Sequence, residues 1–179
     1  HGYMMAVGYE LYCRLLEQAI ETMKGKKVEA PREFEPRIDL SINAYLPSSY
    51  VPNQQQKIEL YRRIATLENK QELQDMAEEL KDRYGRLQPP VENLLLVMRL
   101  RQLSREKGVE SIEQQKGQTI IKFQKEKKFE SEPLWQLVSR YRRNLSLHAG
   151  KGVSLKIRDL QVQEKQYLKF LVQILEEVS

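Results

Sequence analysis

The chain has 179 residues, of which 31% are charged and 40% hydrophobic, with a net charge of +5. A chain of that length buries about two-thirds of its unfolded surface, so folding requires neither disulfide nor metal. The composition excludes a disordered or fibrous chain. No apolar run reaches the roughly 18 residues of a membrane span, and no basic-then-apolar leader opens the chain. The single cysteine cannot form an internal disulfide, which fits a cytoplasmic protein.

Charge is unevenly spread. Residues 1–96 hold 13 Lys/Arg against 15 Asp/Glu, and residues 97–179 hold 17 against 10, for nets of −2 and +7. Asymmetry of this kind can track partner choice, although a solvated basic face is the plainer reading. The first residues, His1-Gly2-Tyr3, are expected of either a tag remnant or a piece of a larger protein.

In chain order, Tyr9, Cys13, Leu16, Ile20 and Met23 form one apolar stripe and predict a helix that Gly25 ends. Lys26–Pro36 is charged, lacks periodicity and carries two prolines, so it reads as a linker. Ile38, Leu40 and Ile42 alternate with Asp39 and Ser41, which predicts a strand with one wet face. Pro47 and Pro52 bracket a turn. Asn53 then suits the N-cap of a helix bearing Ile58, Tyr61, Ile64 and Ala65. Asn69 starts the next helix, with Leu73, Met76, Ala77, Leu80 and Tyr84 in the 3.6-residue period and Gly85 as its stop. Pro89 and Pro90 suit the first turn of a third helix, where missing N–H groups cost little. That helix is apolar from Leu94 to Met98, places Leu95 in the core and ends near Gly108.

Beyond Gly108, Ile112, Lys116-Gly117, Ile121 and Phe123 predict a hairpin. Pro133–Tyr141 reads as a short helix with Leu134, Val138 and Tyr141 on one side. Leu145 and Leu147, then Val153, Leu155 and Ile157, predict a second hairpin about Gly150-Lys151-Gly152. A last helix carries Tyr167, Leu168, Leu171, Ile174, Leu175 and Val178 on one face. The expected fold is α+β: a helical N-terminal half followed by a small, mainly antiparallel sheet flanked by helices.

Little in the chain invites catalysis. Cys13 falls on an apolar stripe and reads as a buried small hydrophobe rather than a nucleophile. His1 is terminal and His148 falls on the wet phase of a strand, so no ligand cluster for a metal is visible. A dispersed Ser-His-Asp triad stays open, though no nucleophile-elbow signature supports one. Ala149–Ser154 resembles a phosphate loop superficially, but it lacks the required spacing and joins strand to strand.

Two charged sets remain. Lys122, Lys125, Lys127 and Lys128, with Arg140, Arg142 and Arg143, form basic clusters flanked by Phe123, Phe129 and Tyr141. The aromatics fall on core phases, so phosphate contact by the cations is favoured over base stacking. Glu78, Glu79 and Asp82 lie in the last turns of the second helix, where the backbone dipole disfavours acid. Local pairing of Glu79 with Arg83 and of Asp82 with Arg86 is one account; a basic partner surface is the other.

The order of elements carries a resemblance. Gly8-Tyr9-Glu10-Leu11-Tyr12, Leu15-Leu16-Glu17, Tyr50-Val51-Pro52, Leu60–Ala65, Glu79–Gly85, Leu87 and Pro90–Leu95 together resemble the C-terminal domain of the bacterial transcription-repair coupling factor family. After Gly108 the likeness is one of element order. The resemblance implies that residues 1–30 are an exit helix and linker from a preceding motor domain, and 31–179 a regulatory domain. It implies no enzyme activity and no cofactor in this piece. The parent would be an ATP-driven translocase on double-stranded DNA that displaces stalled RNA polymerase in transcription-coupled nucleotide excision repair. The domain would dock on the N-terminal repair-like module of the same protein and mask the surface that recruits UvrA, competing with UvrA indirectly. Glu79 and Asp82, with Glu78 beside them, would meet basic residues of that module, and Arg83 would brace the helix end. The alternative is an accessory domain contacting nucleic acid through Lys125, Lys127, Lys128, Arg140, Arg142 and Arg143.

Overall fold

The computed structural model describes residues 35–158 and 160–178. The helix expected at Tyr9–Met23, most of the Lys26–Pro36 linker, His1 and Cys13 lie outside the described residues. Those described fall into two compact units, Ile42–Arg99 and, in the second, Glu35–Ser41 with the chain from Leu100 onward.

The first unit is built from a buried extended segment and helices. Ile42, Ala44 and Leu46 are buried while Ser41, Asn43 and Tyr45 are not, so the expected alternation of side chains persists. The segment has no partner strand among the described residues. It is held by single bonds instead: the Leu46 N–H donates to the Tyr61 hydroxyl at 2.8 Å, Asn93 Nδ2 donates to the Asn43 carbonyl at 3.0 Å, and the Tyr45 N–H donates to the Pro90 carbonyl at 3.2 Å. A turn follows in which the Tyr50 and Val51 N–H groups both donate to the Pro47 carbonyl at 2.9 Å.

Helix α1 is Gln54–Ala65 and α2 is Lys70–Tyr84. Both begin on the asparagines read from sequence: Asn53 accepts from the Gln56 N–H and Asn69 from the Glu72 N–H, each at 3.0 Å. Each side chain thereby satisfies one of the N–H groups that a helix start leaves without a partner. The buried stripe of α1 is Leu60, Tyr61, Ile64 and Ala65, and Ile58 is 38% exposed. Leu60 recentres the stripe away from Ile58, which corrects the expected core set. In α2, Leu73, Met76 and Leu80 are buried, whereas Ala77 and Tyr84 are half-buried at the stripe's edge. Helix α3, Pro89–Lys107, belongs to this unit through Arg99; Val91, Leu94, Leu95 and Met98 are buried along it, and Leu96 and Val97 are half-buried.

The second unit carries a five-stranded sheet: β1 Arg37–Asp39, β2 Val109–Gln115, β3 Gln118–Phe123, β4 Leu145–Ala149 and β5 Val153–Arg158. Its order is β1-β2-β3-β5-β4. All pairs are antiparallel except β1 with β2, which are parallel. The first hairpin turns on Lys116 (φ 46°) and Gly117 (φ 76°), between the paired Gln115 and Gln118. Two successive left-handed residues match the twist of a two-residue hairpin. Helix α4 is Ser131–Arg140, with Leu134 and Leu137 buried and Val138 half-buried. Helix α5 is Glu164–Glu177, with Tyr167, Leu168, Leu171, Ile174 and Leu175 inside and Val178 buried just past its end. The fold is therefore the expected α+β arrangement; the first strand, expected over Ile38–Ile42, pairs only over Arg37–Asp39 and joins the C-terminal sheet.

Leu94 is fully buried and Ile58 is not. Leu94→Ala is expected to cost about 2–5 kcal/mol, as buried leucine truncations do. Ile58→Ala should stay within about 0.5 kcal/mol. Urea unfolding reads both from the transition midpoint, and an unshifted midpoint for Leu94→Ala would remove α3 from the core.

Candidate functional site

The most elaborated surface of the first unit is the C-terminal end of α2. Helix ends leave carbonyls without partners, and here two devices supply them. Gly85, at φ 82° and ψ −164°, adopts a conformation open only to glycine, and its N–H returns to the Lys81 carbonyl at 2.9 Å. The buried Tyr50 hydroxyl lies 3.0 Å from the Leu80 carbonyl and 2.9 Å from that of Gly85, its one hydrogen serving either. Burial pushes the Tyr50 phenol up from its ordinary pKa. The Tyr50 and Tyr84 rings pack at 5.6 Å, the Tyr84 hydroxyl donates to Gln56 Oε1 at 3.0 Å, and the Arg83 guanidinium rests 5.1 Å from the Tyr84 ring centre. The turn after Pro47, the start of α1 and the end of α2 are thereby tied together.

On this platform sit the three acids. Glu79 accepts two parallel bonds from Arg63 at 2.7 and 2.6 Å, and a third from Arg83 at 3.0 Å. The Arg63 hydrogen bonds, helped by Arg83 and opposed by partial burial, hold the Glu79 carboxyl down at about 2. Glu79 raises Arg63 in return. Glu78 pairs with Lys81 at 2.8 Å but is 74% exposed. Asp82 is exposed and has no ion pair or hydrogen bond among the described residues. Of the two local pairs weighed from sequence, Glu79 with Arg83 forms and Asp82 with Arg86 does not. Sequence reading missed Arg63, because its contact with Glu79 spans 16 positions and two helices. The available signal was the basic pair Arg62-Arg63 in the last turn of α1.

In the second unit the basic residues are dispersed by their partners. Lys122 lies 3.5 Å from Glu110, Lys127 rests over the Phe129 ring, and Arg140 pairs with Glu177 at 2.6 Å. Lys125, Lys128, Arg142 and Arg143 are exposed without a partner among the described residues. Phe123 is fully buried against Phe129. Tyr141 packs edge-on to Phe170 and donates to Glu177 at 2.7 Å, a bond that raises its phenol pKa. Phe123 offers no free face for a base. His148 is exposed on β4, and Gly150-Lys151-Gly152 forms the β4–β5 turn, with the Gly150 N–H donating to the Gly152 carbonyl at 3.1 Å. No group of three or more His, Cys, Asp or Glu among the described residues is placed to hold a metal ion. None of the described helices is long and apolar enough to cross a membrane.

A three-helix unit with a tyrosine-capped acidic helix end, and a mixed five-stranded sheet with two helices, define an α+β domain. The chain belongs to the TRCF domain family, whose pattern matches residues 40–134. It is 36% identical over 162 residues to the transcription-repair-coupling factor of Bacillus subtilis, which covers 88% of this chain and 13% of that protein. The Rickettsia typhi factor is 32% identical over 140 residues (78% and 12%), and the Staphylococcus aureus factor 28% over 180 (99% and 15%). The chain thus spans only about an eighth of the curated relatives it matches. The fold superposes with a TM-score of 0.74 on a crystal structure of the C-terminal domain of a transcription-repair coupling factor. That match is 24% identical and covers 80% of this chain and 91% of that one.

The Glu79 pair makes a pH-dependent contribution of known sign. Its carboxyl is depressed in the folded chain from 4.5 to about 2. The stabilisation is therefore fully present above the unfolded value and is lost as pH falls through the folded one. Glu79 is 32% and Arg63 41% exposed, so solvent screening limits the pair to about 1 kcal/mol. Glu79→Gln should cost that much near neutrality and flatten the fall in urea midpoint between about pH 5 and pH 2. Equal acid slopes in the two proteins would show that the pair carries no net stability.

Proposed function

We propose that this domain is the autoinhibitory C-terminal module of a transcription-repair coupling factor. In this reading it is non-catalytic and binds no cofactor. It docks on the N-terminal repair-like module of its own protein and covers the surface that recruits UvrA. The parent acts as an ATP-dependent translocase on double-stranded DNA and displaces stalled RNA polymerase, so that release of this domain couples displacement to repair.

The observation that carries the docking face is Asp82: an exposed carboxylate with no partner among the described residues, at the negative end of a helix that is firmly capped. Acid at that end is disfavoured by the backbone dipole by a few tenths of a kcal/mol, and a basic partner surface offsets it better than solvent does. Glu78 supplies a second exposed charge beside it. Glu79 belongs to the same face, but Arg63 and Arg83 already neutralise it. Its part in this interface is to hold the helix end rigid.

Autoinhibition requires a closed state favoured by only a few kcal/mol. Reversing Glu78 and Asp82 to arginine in the full-length protein should therefore raise UvrA affinity by about tenfold or more. Glu79 is left intact so that the Arg63 pair is not broken. A well-folded double variant with unchanged UvrA affinity would rule out this acid pair as the latch.

A further inference from the structure

The last strand in the sheet order, β4, has β5 on one side, and no described residue pairs with it on the other. The direction of its backbone groups follows from the register. The Arg158 N–H donates to the Asn144 carbonyl at 2.8 Å, and Ser146 and His148 are paired with Lys156 and Ser154. In an antiparallel ladder bonded residues alternate, so Asn144, Ser146 and His148 face β5. Leu145, Leu147 and Ala149 turn their backbone groups outward. The Leu145 N–H is taken by the Tyr141 carbonyl at 2.9 Å. The N–H and C=O of Leu147 and of Ala149 have no partner among the described residues. Among the described residues this edge is open.

The charge around the edge has one sign. From Arg140 to Arg158 there are six Lys/Arg and no Asp or Glu. Arg142 and Arg143 precede the strand and Lys151 follows it; all three are exposed, and none has an acid partner among the described residues. Helix α4 packs beside β4, and its Trp135, 60% exposed, adds an aromatic surface. A second copy of this chain fits poorly. Antiparallel self-pairing centred on Leu147 would set Arg143 of each copy opposite Lys151 of the other, and like charges directly opposed destabilise a strand pair. A nucleic acid would engage the cations but leave the strand's donors and acceptors unanswered. Phe123 is buried and the Tyr141 hydroxyl is bound to Glu177, which leaves Trp135 as the exposed ring beside β4 among the described residues, where a stacking platform sets successive bases on several rings.

We propose that the outer edge of β4 binds an extended acidic peptide segment of a partner protein, which adds to the sheet as a further strand. Main-chain bonds to Leu147 and Ala149 supply the register, and Arg142, Arg143 and Lys151 select acidic side chains. This surface belongs to the second unit and is independent of the Asp82 face, so each can fail without the other.

The test uses the whole chain and a fluorescent, end-capped peptide of about ten residues with alternating Glu and Val, followed by anisotropy. Saturable binding of micromolar order is expected, weakened about tenfold or more by N-methylation of alternate peptide residues, by Ala149→Pro and by Arg143→Glu. Proline at an edge position removes only an outward N–H, which a sheet edge tolerates. The methylated peptide leaves the protein untouched, so the result does not depend on how that variant folds. Amide exchange at Leu147 and Ala149 should slow when the peptide is bound. Absence of binding, or binding indifferent to N-methylation, overturns the proposal. So does tighter binding of an oligonucleotide of matched charge with a steep salt dependence, which would make this a phosphate-contacting surface.

Discussion

The second unit depends on three residues of parallel strand. Arg37–Asp39 pairs with β2, yet the chain between them runs through all three helices of the first unit. Parallel neighbours cannot be joined by a tight turn, so the helical unit is in effect the crossover between β1 and β2. A strand this short holds few ladder bonds, and charged groups secure its start while a neutral bond follows its end. Glu35 just before it accepts from Arg101 at 2.5 Å and from Arg105 at 2.7 Å, both on the last turns of α3. Burial pushes the Glu35 carboxyl up, but the two guanidinium groups together hold it below its ordinary value. Arg37 bonds Glu113 on β2 and depresses it likewise, and the Ser41 N–H donates to Gln114 Oε1 at 3.0 Å.

The first unit solves a related problem with neutral groups. Its extended segment has alternating burial but no ladder, so its backbone relies on side chains such as Tyr61 and Asn93. Tyr50 does the same for the carbonyls of Leu80 and Gly85 at the end of α2. Hydroxyls and amides suit this role, because a buried polar group left unpaired costs more than the bond itself gains. The result is a helix end that is fixed in position while its acids differ in state: Glu79 neutralised within the domain, Glu78 shared with an exposed lysine, and Asp82 facing solvent. A docking surface built on such an end presents charge with little loss of side-chain freedom in the scaffold beneath it.

The two units carry opposite tendencies. The first offers acid on a capped helix end, and the second offers a basic strand edge with no partner among the described residues. Electrostatic complementarity governs partner choice and association rate more than affinity. Surfaces of opposite sign on one small domain can therefore engage different partners without competing for the same contacts.

Local grammar was legible in the amino-acid sequence wherever one residue settles the matter by its own chemistry. Asn53 and Asn69 cap helices because their side chains replace a missing backbone acceptor, Gly85 stops α2 because only glycine takes that conformation, and Lys116-Gly117 turns the first hairpin. The periodicity of Tyr167 to Val178 sufficed to assign the buried face of α5. The tertiary structure decided what depends on distance along the chain. It paired Arg63 with Glu79, left Asp82 without Arg86, limited the first strand to three paired residues and set it parallel to β2. It also placed Ile58 outside the core and β4 at the sheet's edge. Periodicity reports which face of an element is apolar, but the neighbour that covers that face, and the charge that meets a given carboxylate, are set by how separate elements pack.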